Sequence, residues 1–257
     1  MWLALSLFLS QTSSLPACWR GEPTLDLAVQ RAFEARAEFD STPFTSAFHP
    51  IANAYWIERG EVSSLSHFGF RNALTSRNPL VHRDVYSVEW SDAGGDSALV
   101  RVATHGSGKP FIEHVLMTKT GGCWRSVAIV FAEAGQVGPD AAIRTLVEDK
   151  VLSDATWDSA LLARTLHARA LVFTVDEDEI VAASAAEWVA RYVQRRRSPP
   201  GFHPTRHTID RIDATPTTAA VRWSVSFSDG STWTDRALLL KTNRGWKMIA
   251  LAFSNQG

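Results

Sequence analysis

The chain repeats itself. Displaced by 118 positions, FHPIANAYWIERGEV (48–62) falls on LHARALVFTVDEDEI (166–180), so that His49 meets His167, Ala52 meets Ala170 and Glu61 meets Glu179. Further along, the displacement grows to 121 and then 122, as short gaps would produce. ALVRV (98–102) then meets AAVRW (219–223), and LMTKTGGCWRSVAIVF (116–131) meets LLLKTNRGWKMIALAF (238–253). Lys119/Lys241, Thr120/Thr242, Trp124/Trp246 and Phe131/Phe253 keep register through that last block. Whatever fold the chain adopts, it adopts twice. The first copy is read as 21–135 and the second as 136–257, with the boundary in the Gly/Pro-bearing stretch AEAGQVGPD (132–140).

Each copy runs in the same order. An amphipathic helix opens it, with Leu25, Ala28, Val29, Ala32 and Phe33 at three-and-four spacing after Pro23, matched by Ile143, Leu146 and Val147. An extended segment (51–57; 169–175) and a polar turn at Gly60 or Asp178 follow. Ser66 and Ser184 stand where N-caps of helices over 67–75 and 185–196 belong. Four strands rich in Val, Ile, Trp and Phe close each copy, punctuated by Gly/Asp/Asn turns. Helices followed by a curled antiparallel sheet define an α+β class with the helices on one sheet face.

The FHP-x-A-x-x-Y start, the short turn before the Ser-capped helix and the closing K-T-x-x-x-W strand resemble the nuclear transport factor 2-like superfamily, nearest its SnoaL-like and "putative lumazine-binding" groups. The resemblance implies two tandem cone-shaped domains. Its motifs are packing motifs, and members range from ketosteroid-isomerase-like and dehydratase-like enzymes to binding proteins, so it implies fold and not activity.

Composition narrows the partners. With 26 Lys and Arg against 27 Asp and Glu, the net charge of −1 offers nothing to a polyanion, and nucleic-acid binding is disfavoured. Residues 1–20 read as a leader: Trp2 to Leu9 form an apolar run too short to span a bilayer, and Leu15-Pro16-Ala17-Cys18 resembles a lipobox. Export is expected, either through plain cleavage near Ala17 or with Cys18 lipidated, which is the one membrane attachment the sequence offers. Cys18 and Cys123 are the only cysteines, which leaves room for a single bridge, no disulfide framework and no thiolate metal site. No metal and no cofactor motif is read. The loop pair His203 and His207 is at best a weak metal signal. His49 and His167 share one helix-to-strand corner, where locking the corner is the simpler role than catalysis. The run Asp176–Glu179 reads as solvated, and Arg195–Arg197 suit a helix C-terminus.

The sharpest expectation concerns a hairpin. Asp229-Gly230 signals a two-residue turn, so paired positions would sum to 459. That register puts Trp223 and Arg236 on the inner face of the second sheet and Arg222 with Asp235 on the outer one. By the repeat, Val102 and His114 face inward in the first copy, and Arg101 with Glu113 outward. Val102, His114, Trp223 and Arg236 are then the expected pocket lining. Arg101, Glu113, Arg222 and Asp235 become the polar set of an interdomain face, through which the copies pack as an intramolecular pseudo-dimer. An inward Arg236 would want an anion, so the second pocket is expected to take an acidic amphiphile and the first an uncharged ligand. Three readings stay open. One is an exported protein that binds a small apolar or amphipathic ligand without catalysis; another is an isomerase, cyclase or dehydratase working in one pocket; the third is a purely structural pair with filled cores. Glu113 and Asp235 decide between the first two: acids pointing inward favour the enzyme, acids pointing outward weaken it.

Overall fold

A computed structural model describes residues 24–78, 83, 85–106, 109–135, 141–197 and 203–255. The leader and Cys18 lie outside the described residues, whereas Cys123 is buried and is not a free thiol.

The first domain runs α1 (Leu25–Glu38), α2 (Ser41–Ala47), β1 (Phe48–Glu58), β2 (Glu61–Ser66), α3 (His67–Thr75), β3 (Val85–Gly94), β4 (Ser97–Gly106), β5 (Lys109–Thr120) and β6 (Cys123–Glu133). The second repeats it as α4 (Ala141–Thr156), α5 (Ser159–Thr165), β7 (Leu166–Asp176), β8 (Glu179–Ser184), α6 (Ala185–Arg197), β9 (Pro204–Ala214), β10 (Thr218–Phe227), β11 (Thr232–Thr242) and β12 (Gly245–Asn255). Local chemistry repeats with it. Asp40 and Asp158 cap α2 and α5 through their carboxylates. Ser66 accepts from Gly69 N at 3.2 Å, and Ser184 forms a capping box with Glu187, whose carboxylate returns to Ser184 N at 2.8 Å.

Each domain holds one six-stranded sheet, ordered β2-β1-β6-β5-β4-β3 and β8-β7-β12-β11-β10-β9. Among the described residues only β1–β6 and β7–β12 pair in parallel; the other pairs are antiparallel. β2 and β8 occupy stretches where only a turn was expected, as short edge strands folded back on β1 and β7. The helices cover one face of each sheet over an apolar core. The opposite faces pack on each other, with Leu99, Leu116 and Val130 meeting Phe173, Leu238 and Ile249.

The hairpin register differs from the expected one by a single residue. Trp223 pairs with Asp235 and Arg222 with Arg236, so paired positions sum to 458. The cause is the turn. Gly230 N donates to Phe227 O at 3.1 Å and Phe227 N to Ser231 O at 2.9 Å, so the loop contains three residues, Ser228, Asp229 and Gly230. Gly230 takes φ +88°, the left-handed last position of a three-residue hairpin, and the two-residue turn does not form. One residue of slip exchanges the faces of the whole strand. In the first copy Val102 likewise pairs with Glu113 and Arg101 with His114. Glu113 and Asp235 therefore point inward, while His114 and Arg236 point outward, the reverse of the expectation.

The outward set builds a reciprocal interface. Arg101 bonds Asp213 of the second domain, and Arg222 bonds Asp92 of the first at 2.7 Å. Both members of each pair are displaced by 121 positions from those of the other. His114 meets Asp213 at 3.4 Å, and its equivalent Arg236 meets Asp92 at 3.2 Å. Contacts exchanged in this way are the signature of an isologous two-fold interface, here within one chain. The acids that serve it are Asp92 and Asp213, not Glu113 and Asp235.

Candidate functional site

Between α4, α6 and the inner face of β10–β12 lies a cavity of about 180 Å³. The buried stripe of α4 (Ile143, Leu146, Val147, Val151) carries Lys150 inward, and Asp154 follows one turn on. Lys150 Nζ donates to both oxygens of Asp154, at 2.7 and 2.6 Å, and Tyr192 of α6 donates its hydroxyl to the same carboxylate. Asp235 enters from β11. It is 6% exposed, and among the described residues no hydrogen-bond partner reaches its carboxyl. Burial, reinforced by Asp154 and opposed by Lys150 and Arg236, pushes that carboxyl up to about 7. Burial would lower the Lys150 ammonium, but Asp154, Tyr192 and Asp235 overcome it and raise it. Five rings close the wall in sequence. Trp157 meets Tyr192 edge-on at 5.2 Å, Tyr192 meets Trp188 at 6.3 Å, and Phe253 joins Trp188 at 5.5 Å and Trp233 at 5.6 Å. The buried indole N–H of Trp188 has no partner among the described residues. An apolar hollow with one unpartnered acid and one unpartnered donor is a binding site in its chemistry.

The first domain fills the same place with its own side chains. Glu113, 0% exposed, takes Arg36 on both oxygens at 2.7 and 2.9 Å, Arg83 Nε at 2.6 Å and the Thr104 hydroxyl at 3.1 Å. Burial alone would raise this carboxyl, but Arg36 and Arg83 hold it at about 2. A cleft of about 10 Å³ lies between α2, α3 and β1.

The residues expected at the pockets separate into two groups. Val102 and Trp223 are on the inner faces and fully buried, and Trp223 stands beside Asp235 without lining the cavity. His114 and Arg236 are not in the pockets. The anion that Arg236 requires is Asp92, with Ser97 Oγ at 2.9 Å, so the acidic-ligand pocket expected there does not exist. His49 and His167 accept from the backbone N–H two residues on, at 3.4 and 3.1 Å, and so brace their corners. Burial holds His49 down at about 4, helped by Arg125 and His67. His167 also borders an open groove of about 670 Å³ with Arg164, Arg244 and the half-buried Lys247, whose ammonium donates to the Arg164 carbonyl. Among the described residues no three His, Cys, Asp or Glu side chains converge on a metal position. Lys150, Asp154 and Arg36 were missed in the sequence, although each continues the three-and-four spacing of a buried helical stripe.

The sequence model of the family described as "Putative lumazine-binding" matches twice, at residues 23–132 and 139–254. The chain belongs to this family. A search of curated proteins found no match. Solved structures similar to this chain include a nuclear transport factor 2-like protein of unknown function from Shewanella baltica OS155, at 21% identity over 46% of this chain and 93% of that one, with a TM-score of 0.40. Another, from Methylobacillus flagellatus KT, shares 17% identity over 48% of this chain and 97% of that one, TM-score 0.40. A ketosteroid isomerase-like protein from Erwinia carotovora atroseptica SCRI1043 shares 13% over 46% and 95%, TM-score 0.38. This "Putative lumazine-binding" chain carries the family's model twice, once on each of its two α+β domains of like element order.

Proposed function

We propose that this protein binds a small, largely apolar ring compound in the cone of its second domain, and that its first domain is the structural partner. The observation carrying this reading is the contrast at one repeat-equivalent position: Glu113 is saturated by two guanidiniums, and Asp235 faces an aromatic-walled cavity without a partner. A thermal-shift screen of ring compounds tests it. Hits should stabilise the wild type and Phe111→Ala but not Trp233→Ala, since Phe111 and Trp233 are equivalent positions in the two copies. Compounds that stabilise Trp233→Ala as well as the wild type, or no hits at all, defeat the reading.

Asp235 also supports a second reading, proton-transfer catalysis of the isomerase kind. A carboxyl brought up to about 7 and facing inward suits a group that takes a proton from an acidic C–H and returns it elsewhere on the same molecule. Isomerisation of a β,γ-unsaturated ketone, followed by its ultraviolet absorbance, should then occur in the wild type and fall at least a hundredfold in Asp235→Asn. Equal rates in the two proteins leave binding alone.

A further inference from the structure

The first cone describes what the second one lacks. In the first, the guanidinium of Arg83 lies over Phe111 at 5.0 Å and Phe131 at 5.7 Å while it bonds Glu113. Arg36 completes the set, over Phe33 at 4.8 Å and Phe70 at 5.3 Å. In the second, the ring positions persist: Phe111 becomes Trp233, Phe131 becomes Phe253 and Phe70 becomes Trp188. The acid persists as Asp235. The two cations do not, because Arg36 is replaced by Asp154 and Arg83 by Pro204. Lys150 stands where the first copy has Ala32, but both oxygens of Asp154 already engage it.

We propose that the second cone is a receptor for a small guanidinium-bearing molecule, which seats its cation over Trp233 and Phe253 against Asp235 as Arg83 does against Glu113. This rests on the second cone being the binding site. The ion pairing agrees. The first cone sets two cations on one acid, whereas the second lines its cavity with Lys150, engaged by Asp154, and the exposed Arg195, against the two acids Asp154 and Asp235. Among the described residues no cation bonds Asp235, and without one a buried carboxyl keeps a proton instead. Indole and phenyl faces attract a desolvated cation, and a planar guanidinium matches a carboxylate's two oxygens. A cavity of about 180 Å³ admits such a head group and not a folded segment of polypeptide. The groups facing Asp235 are Lys150 and Asp154 from α4 and Tyr192 and Arg195 from α6, with Arg236 next to it on β11. Bound cation would expel the Asp235 proton, so affinity should weaken as pH falls through about 7.

Calorimetric titration of the full chain with phenylguanidine and with its neutral isostere phenylurea tests this. Phenylguanidine should bind once per chain, at least tenfold tighter than phenylurea, and about tenfold more weakly at pH 6 than at pH 8. Asp235→Asn should lose both the preference and the pH dependence. Trp233→Leu, which leaves the acid in place, should weaken phenylguanidine and keep its pH dependence, so the outcome does not hang on one variant folding. If phenylurea binds as tightly as phenylguanidine, or the preference survives in Asp235→Asn, the cation proposal falls and the pocket stands. If neither probe binds the wild type, the pocket falls with it.

Discussion

Removing the acid from the first cone should be among the costliest single polar substitutions in that domain. Glu113→Gln keeps the volume of the side chain but leaves two guanidiniums, each 1% exposed, without their shared counter-charge. Breaking a buried pair from one side costs about 3–5 kcal/mol. Linkage gives a similar figure independently: a carboxyl lowered from 4.5 to about 2 by folding contributes about 3 kcal/mol at neutral pH. The sign follows from the depressed value. The contribution is complete above the unfolded value of 4.5 and is lost as pH falls toward 2, with about 2 kcal/mol gone by pH 3. Urea unfolding of wild type and Glu113→Gln at pH 7 and pH 3 measures both. The gap should be about 3–5 kcal/mol at pH 7 and clearly narrower at pH 3. A gap below about 1 kcal/mol at pH 7, or one that does not change with pH, would mean that the triad does not hold the first cone together.

Asp235 should behave in the opposite sense. Its folded value lies above the unfolded 3.8, so the folded state binds the extra proton and wild-type stability falls as pH rises from about 4 to about 7. Asp235→Asn should therefore gain on the wild type across that window, by up to about 4 kcal/mol, and equal stability curves from pH 4 to pH 8 would contradict the assignment. At the interface, Asp92→Ala strands Arg236, which is 1% exposed, and should cost about 3–5 kcal/mol. Arg222→Ala removes a side chain one-third exposed and should cost about 1 kcal/mol or less; equal losses in urea unfolding would show that Asp92 does not hold Arg236.

The fold was legible because a duplication writes the same packing residues twice, and packing residues are what fix element order. The stripes of α1 and α4, the Ser66 and Ser184 caps and the closing strands all lie where their patterns place them. β2 and β8 were hidden by their brevity and mixed polarity, as edge strands often are. The site was misplaced for a different reason. Face assignment in a strand is a parity, and parity turns on the number of residues in one loop. Asp229-Gly230 is equally compatible with a two-residue turn and with the last two positions of a three-residue one, and only the backbone bonds of Phe227 separate them. That single count moved Asp235 and Glu113 from the interface to the cones, and His114 and Arg236 the other way. Lys150 and Asp154 were hidden by chemistry, since charged residues on a helix are ordinarily its solvated face.

Fusion explains why the two cones can differ more freely than the Arg–Asp pairs of the interface, which are kept in both directions even though His114 on one side answers Arg236 on the other. A homodimer built from one sequence must carry identical pockets, but two copies in one chain diverge wherever divergence is tolerated. At the interface, Arg101 with Asp213 and Arg222 with Asp92 depend on each other across the pseudo-two-fold, so a change on one side strands a charge on the other. No such coupling joins the cones, each enclosed beneath its own helices. The first has closed on an ion triad that holds α1 to the sheet, the contribution of a scaffold. The second keeps a buried acid that no protein cation fully compensates, and this opposes folding unless something outside the chain meets it. Strain of that kind concentrates at functional sites, where stability is given up for a purpose. A fused pair can bear it in one half because the shared interface lets the stable half support the other.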